Sequence, residues 1–527
     1  MAITHCVIGS GPAGVACAKG LLARGAHVLM LDAGLELEAD RARILRPLAA
    51  KEPGELTAAD RLALTGNLAP TAKGLPRKLI FGSDFPYRDT ETEIPWRTQD
   101  VSLEPSLALG GFSNVWGAAM LPYAEADLAD WPVKNADLAP HYRAVTAFTG
   151  LAAETDDLAE PFPLYCDQPK PLKPSRQADL FLGNLTRHRT ALRAAGWRFG
   201  RSRLAVRAAA TLQGPGCKWC GLCMTGCPYG CIYNSADTVG EMRGNPRFQY
   251  QRDRIITTLR ETAGGVTVSG YDRLTRQPFS LAAGRVYLAT GVIPTAQILL
   301  RSQGACDQPL RLRDSQYYLF PLLLARGTRR VQTESLYTLS QLFLELNDPA
   351  VSRHTVHLQL YTYSDLISQA VRQTLGPLGA LTGLLMERMI VVQGYLHSDE
   401  SSCMEMTLKR DGEKDWLQLD ARTNPETRRK VKAVLRALLR QSHRLGALAL
   451  PPMLQLTQPG RGFHSGASFP MRRQPGRFES DCLGRPQGWT RVHAVDASVL
   501  PAIPATTITF SVMANAHRIG WETAGLE

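Results

Sequence analysis

The sequence predicts an α/β chain in which a Rossmann-like dinucleotide-binding domain is joined to an α+β substrate domain with an antiparallel sheet. Three observations carry this reading. They are a strand–turn–helix–strand pattern at residues 4–34, a second buried strand ending in small residues at 285–291, and alternating segments between 248 and 363. A chain of 527 residues can bury a large core and divides by length into roughly two to four domains. Its 44% hydrophobic and 20% charged residues are those of an ordinary globular protein.

The first unit is the most informative. The apolar run 5–8 enters Gly9-Ser10-Gly11-Pro12-Ala13-Gly14, a helix follows over 13–24, and a strand over 26–31 ends at Asp32. In this spacing the first glycine permits the tight turn and the second lets the backbone approach a pyrophosphate. The third lets the helix pack on the strand, so that the helix N-terminus faces the anion. A carboxylate about 20 residues on, here Asp32 followed by Ala33, holds ribose hydroxyls.

Residues 35–100 read as loop-rich, with helical patches at 37–45 and 58–65, and a Gly-dense segment follows at 109–117. Helices are expected over 138–150 and 176–195. The segments 248–250, 265–271 and 278–281 read as antiparallel strands, then a buried strand at 285–289 leads to a helix at 295–302. Residues 311–410 mix strands, such as 317–325 and 355–363, with an apolar stretch at 375–389. That stretch is too short for a bilayer span and is interrupted by Gly376-Pro377 and Glu387-Arg388, so it is expected as a core helix or lid. A strand at 492–495 and a helix at 510–523 close the chain. The expected division is 1–135 (dinucleotide-binding), 136–205 (substrate-domain insertion), 206–310 (dinucleotide-binding, with a Cys-rich loop), 311–455 (substrate domain) and 456–527 (dinucleotide-binding, C-terminal part).

The first motif alone does not separate FAD from NAD. Two later segments favour FAD: the strand ending Ala289-Thr290-Gly291, and Val492-His493-Ala494-Val495-Asp496-Ala497-Ser498, both of which suit the second and third crossings of a large FAD-binding domain. Together with Leu109-Gly110-Gly111-Phe112-Ser113-Asn114-Val115-Trp116-Gly117, Ser480-Asp481 with Gly484-Arg485, and Val499-Leu500-Pro501, the pattern resembles the glucose–methanol–choline oxidoreductase family. The resemblance implies an enzyme that oxidises a CH–OH group to a carbonyl by hydride transfer to flavin N5. It also implies that Ser113, Asn114, Trp116 and Gly117 line the flavin, that Gly110 and Gly111 give its backbone room, and that Thr290, Gly291, Asp496 and Ala497 lie along the cofactor.

Removal of the hydroxyl proton needs a base, and a histidine with an ordinary pKa of about 6.5 suits that task. Of the 11 histidines, His464 in Gly462-Phe463-His464-Ser465-Gly466 matches the family's catalytic position. The family's usual second residue, Asn or His, is replaced here by Pro504-Ala505-Thr506-Thr507, which leaves Thr507 as the candidate donor to the substrate oxygen. His517 is expected to be structural.

Of the 11 cysteines, Cys217, Cys220, Cys223 and Cys227 stand in the C-x₂-C-x₂-C-x₃-C-P run of bacterial ferredoxins, with Cys231 as a spare. An iron–sulfur cluster (3Fe–4S or 4Fe–4S) is the favoured reading, and zinc and reduced structural thiols are the alternatives. The partners expected are a small alcohol, with a sugar, polyol or glycoside preferred and a sterol or long-chain alcohol second, and an external acceptor such as a redox protein or quinone. From a different class, an FAD and iron–sulfur electron-transfer reductase would lack a use for His464. The net charge of +12 is spread thinly and reads as a solvated basic surface. An anionic substrate or membrane surface is a lesser reading, and nucleic acid has little support, because the Arg-rich piece at 421–432 has no aromatic to stack on a base. The N-terminus lacks a basic leader and enters a strand at once, so a cytoplasmic location is expected.

Overall fold

The strand Pro278–Leu288 organises the first sheet because its two halves have different burial and different partners. Its first half alternates exposed and partly buried residues and pairs antiparallel with Gly265–Asp272. Its second half is almost continuously buried, Arg285 included, as expected of a strand covered on both faces. It runs parallel to Ile3–Ile8 on one side and to Val492–Ala494 on the other. The sheet continues outward through Val28–Leu31 to Phe248–Gln251, and at the opposite edge through Arg254–Thr262. The computed structural model that supplies this description covers residues 3–66, 77–212 and 214–525.

A second, antiparallel sheet runs in the order Ala447–Ala449, Tyr317–Leu324, Met389–Tyr395, Val356–Tyr361, Leu342–Leu346, Trp197–Arg201. Alternate residues on these strands serve opposite faces. Phe320, Leu344, Leu358 and Val392 pack with the helices Arg176–Arg187 and Pro425–Arg440, through Phe181, Leu185, Val434 and Leu438. The opposite face carries polar side chains and faces a cavity. A third sheet orders Ser465–Gly466, Pro309–Asp314, Cys403–Asp411, Lys414–Arg422 and Trp96–Gln99. Its Leu312, Met406 and Leu419 share one core with Ile8, Leu31 and Val286 of the first sheet, which fixes the two sheets against each other.

Several local expectations need correction. The segment at 248–251 is a parallel neighbour of Val28–Leu31, not an antiparallel strand, because the chain reaches it through the helix Ser235–Met242 and not through a hairpin. The helix expected over 176–195 breaks at His188 into Arg176–Arg187 and Arg189–Ala194. The stretch 375–389 is not one helix, and among its described residues only Thr382, Met386 and Met389 are buried. The chain forms Asp365–Leu375, a 3₁₀ turn at Gly376–Leu381 and a short helix Thr382–Met386, with Leu381 and Leu384 exposed, before Met389 begins a strand. Gly376-Pro377 explains the break, since proline supplies no N–H to continue a helix. Of the loop-rich segment, residues 67–76 lie outside the described residues. Among the described residues no helix is long and apolar enough to cross a membrane.

Tyr287, at the centre of the first sheet, lies between two histidines. His5 Nδ1 is 3.1 Å from its hydroxyl, and the His493 ring stacks on it at 5.0 Å. Burial pulls both imidazoles down to about 4, with nearby Arg285 adding to the effect. Because the folded value lies below the ordinary 6.5, the unfolded chain takes up these protons first. The stability they contribute is complete above about pH 6.5 and is lost as pH falls towards 4. His493→Phe, which keeps the stack but cannot be protonated, should therefore lose a few degrees less of Tm than wild type between pH 7.5 and 4.5. Equal losses in thermal melts would contradict this linkage.

Candidate active site

The loop after Ile3–Ile8 is held by backbone contact. A Cβ on Gly9, whose φ is +102°, would lie 2.5 Å from the Ala289 carbonyl oxygen, and one on Gly14 would lie 1.9 Å from that of Gly9. Only glycine lets these segments close. A Cβ on Gly11, by contrast, would meet nothing within 4 Å, because Gly11 looks into an open cleft of about 1350 Å³. The cleft is lined by Gly9, Gly11, Pro12, Ala13, Asp32, Ala33, Gly111, Thr290, Gly291, Asp496 and Ala497. Gly14, Gly110 and Asn114 stand one layer behind. Asn114 Nδ2 donates to the Leu109 and Gly111 carbonyls, and so shapes the loop that the cleft meets.

Two carboxylates fix the cleft's ends. Asp32 accepts from Ser10 Oγ (2.6 Å) and Tyr250 Oη (3.1 Å). Burial pushes it up to about 6 while these donors pull the other way. Ser10 Oγ also accepts from Gly110 N–H at 2.9 Å, which ties the first turn to the Gly-dense segment. Asp496 Oδ2 accepts from Gly291 N–H (2.9 Å) and Thr295 Oγ1 (2.6 Å). Ser10, Thr295 and Tyr250 were not legible as site residues, although Ser10 lies inside the motif. The long apolar cleft, the open space over Gly11 and the helix beginning at Pro12 suit a dinucleotide.

A second cavity, of about 1670 Å³, joins the first, since Pro12, Phe112, Phe463 and Thr509 line both. Ser113, Trp116, Gly117, His464 and Thr507 line it, so the expected catalytic pair and part of the expected flavin loop meet in one space. The His464 segment is anchored by Asp314, wholly buried and absent from the sequence-based candidates. Its carboxylate accepts from Ser465 Oγ (2.7 Å) and Gly460 N–H (3.0 Å), and Ser315 N–H donates to the His464 carbonyl (2.9 Å). The His464 ring stacks on Tyr395 at 5.0 Å, and its Nδ1 is buried without a hydrogen-bond partner among the described residues. Burial pulls this imidazole down to about 4, with His357 adding to the effect, so it is neutral at pH 7 and able to accept a proton. Thr507 Oγ1 accepts from Leu121 N–H at 3.0 Å, which leaves its own proton free to point elsewhere.

The fold has a solved counterpart. The crystal structure of pyridoxine 4-oxidase from Mesorbium loti superposes over 99% of this chain and 99% of its own, with a TM-score of 0.59 at 14% sequence identity. That likeness establishes the fold and nothing finer. No family model and no curated protein matches the chain.

The Cys-rich loop forms a third site. Cys217, Cys220, Cys223, Cys227 and Cys231 line one small cavity of about 370 Å³, walled from the second cavity by Leu339, which lines both. Backbone N–H groups point at three of the sulfurs: Trp219 at Cys217 (3.5 Å), Thr338 at Cys223 (3.4 Å) and Cys231 at Cys227 (3.3 Å). Among the described residues, the trio with ligand atoms all within 4.8 Å of one another is Asp127, His354 and His397, not three of these thiols. That trio is already committed. Arg353 Nε donates to His354 Nε2 (3.0 Å), Asp399 N–H donates to His397 Nδ1 (3.1 Å), and the two rings stack at 3.6 Å.

The two glycines of the first turn should behave differently when replaced. Gly11→Ala should leave the melting temperature of the FAD-free protein unchanged while weakening retention of added FAD, followed by flavin absorbance after gel filtration. Gly14→Ala should lower the melting temperature itself. Tight FAD retention by Gly11→Ala would mean that the cleft does not take the pyrophosphate there.

Proposed function

We propose that this protein is an FAD-dependent oxidoreductase of the glucose–methanol–choline type that oxidises a CH–OH group of a sugar, polyol or glycoside to a carbonyl. The observation that carries the proposal is the junction of the dinucleotide cleft with a cavity lined by the neutral imidazole of His464. The fold likeness and the ordered sequence motifs support the same reading. Bound FAD would supply the hydride acceptor at flavin N5. The chain's own work is to hold the alcohol and move a proton. His464 takes the hydroxyl proton as the carbinol C–H bond breaks, and Thr507 donates to the substrate oxygen. Gly9, Gly11, Pro12, Ala13, Asp32, Ala33, Thr290, Gly291, Asp496 and Ala497 hold the dinucleotide, while Gly110, Gly111, Ser113, Asn114, Trp116 and Gly117 shape the flavin end. Gln359, Gln393, Tyr317, Tyr361 and Tyr395 in the cavity wall offer hydrogen-bonding partners to a hydroxyl-rich substrate, while Leu339, Leu366, Ile367 and Val391 in the same wall keep a sterol or long-chain alcohol as the second reading.

The five thiols fit an iron–sulfur cluster better than zinc. A tetrahedral zinc with Zn–S near 2.3 Å keeps its sulfurs about 3.8 Å apart. Among the described residues no three of these thiols lie within 4.8 Å of one another, and N–H groups aimed at the sulfurs are the kind of contact that tunes such clusters. Cys217, Cys220, Cys223 and Cys227 would be the ligands, and a cluster there would provide one-electron capacity beside the cavity for an external acceptor, a redox protein or a quinone.

Each site has its own test. His464→Ala should retain FAD and slow anaerobic flavin reduction by substrate by roughly a hundredfold or more. In wild type the acid limb of kcat/KM should fall near pH 4, because the base must be neutral and burial holds its pKa there. A near-normal rate in the variant would remove His464 from the mechanism. For the cysteine loop, anaerobically purified protein should contain iron and acid-labile sulfide in comparable amounts, and Cys220→Ser should lose both while keeping FAD. Stoichiometric zinc without sulfide would overturn the cluster.

A further inference from the structure

The cavity face of the second sheet carries a chain of hydrogen bonds that neither the base nor the dinucleotide site uses. Glu345 and His357 stand opposite each other on neighbouring strands, as do Gln359 and Gln393. His357, Gln359 and Tyr361 alternate along one strand and so share its cavity face. Tyr361 Oη donates to Gln359 Oε1 (2.9 Å), Gln359 Nε2 lies 3.1 Å from His357 Nε2, and His357 Nδ1 lies 2.7 Å from Glu345 Oε1. Glu345 and His357 are wholly buried, whereas Gln359 and Tyr361 line the cavity.

The chain has a direction. With the Gln359 amide nitrogen facing His357, Nε2 of that ring must accept, so Nδ1 carries the proton and donates to Glu345. Burial lifts the Glu345 carboxyl while His357 and the charge of Arg203 pull it back, and when ionised it can only accept. Each donor therefore points inward, away from the cavity. The phenol of Tyr361 spends its proton on Gln359 and has only oxygen lone pairs left for the cavity. Tyr395 repeats the arrangement one strand over, donating to Gln393 Oε1 at 3.3 Å, and it is the ring on which His464 stacks.

We propose that Glu345, His357 and Gln359 form a positioning relay that presents Tyr361 to the cavity as a hydrogen-bond acceptor, making Tyr361 a specificity residue for a substrate hydroxyl other than the one oxidised. The proposal rests on the alcohol-oxidation reading above and narrows its substrate to a compound with at least two hydroxyl donors. A lone apolar alcohol gives Tyr361 nothing to accept from. A cavity-facing acceptor that loses its partner is left desolvated, and the penalty for an unmet polar group is what makes such sites discriminate.

The test uses the FAD-loaded enzyme and anaerobic flavin reduction across glucose, glycerol, sorbitol and 1-butanol. For the best polyol, Tyr361→Phe should raise KM about five- to tenfold, the worth of one hydrogen bond, with kcat within about threefold of wild type. Reduction by 1-butanol should be unchanged. Glu345→Gln should raise the same KM less, and the double variant should be no worse than Tyr361→Phe alone, because the relay acts through that hydroxyl. Additive losses, a KM within twofold of wild type in Tyr361→Phe, or equal losses on polyol and 1-butanol would overturn the relay. If no alcohol in the panel bleaches the wild-type flavin, alcohol oxidation itself falls, an outcome distinct from wild type and variants responding alike.

Discussion

The close approach of three backbone segments governs this molecule. Residues 9–14, 289–291 and 496 meet at the ends of parallel strands, and the meeting tolerates no side chain at Gly9 or Gly14. Asp496 adds the bond that matters most there, because its carboxylate holds Gly291 N–H and Thr295 together across some 200 residues of sequence. The open cleft exists because the segments are held this close on one side while Gly11 leaves space on the other. Everything downstream, including the position of His464, is registered against that junction through the core shared by the first and third sheets.

Electrostatics follow from this packing and not from the net charge. The basic excess sits on the surface, whereas the groups that bear on chemistry are buried and neutralised by neighbours or by desolvation. His464 and Asp314 illustrate the two outcomes in adjacent strands. The imidazole is kept neutral by burial and left with an unmet nitrogen, while the carboxyl, pushed up to about 6, has its oxygens met by Ser465 and Gly460.

The parts of the fold that announce themselves in sequence are those with local causes. The Gly-x-Gly-x-x-Gly turn, the Asp32 position and the apolar run 285–289 are each decided within a few residues, and each stands where its pattern suggests. The cysteine spacing likewise brought all five thiols to one cavity. The second sheet was partly legible: the strands expected at 317–325 and 355–363 stand at Tyr317–Leu324 and Val356–Tyr361, whereas Leu342–Leu346 and Met389–Tyr395 were not singled out. Burial is complete along Val356–Tyr361, so its alternation did not show that the polar face is the one lining the second cavity. Asp314 carries no local signal, since its partners Ser465 and Gly460 lie 151 and 146 residues away. The stretch 375–389 misled for the opposite reason. Its apolar composition suggested one core helix or lid, but the Gly-Pro break ends the helix and leaves Leu381 and Leu384 exposed while Met386 and Met389 are buried.

One consequence concerns how the proposed sites relate. The cysteine cavity and the second cavity share Leu339, and the adjoining Thr338 lines the second cavity while its backbone N–H points at Cys223 and its hydroxyl at the Gly221 carbonyl. The same short segment therefore touches both sites. Tyr337, on the cysteine side, is wholly enclosed, and the next residues lead directly into Leu342–Leu346, the strand that bears Glu345. A rearrangement of the thiol loop thus has a covalent route of eight residues to the far end of the relay that meets Tyr361. Close packing on both sides of that segment ties the thiol loop to the wall of the second cavity, so the two are set together.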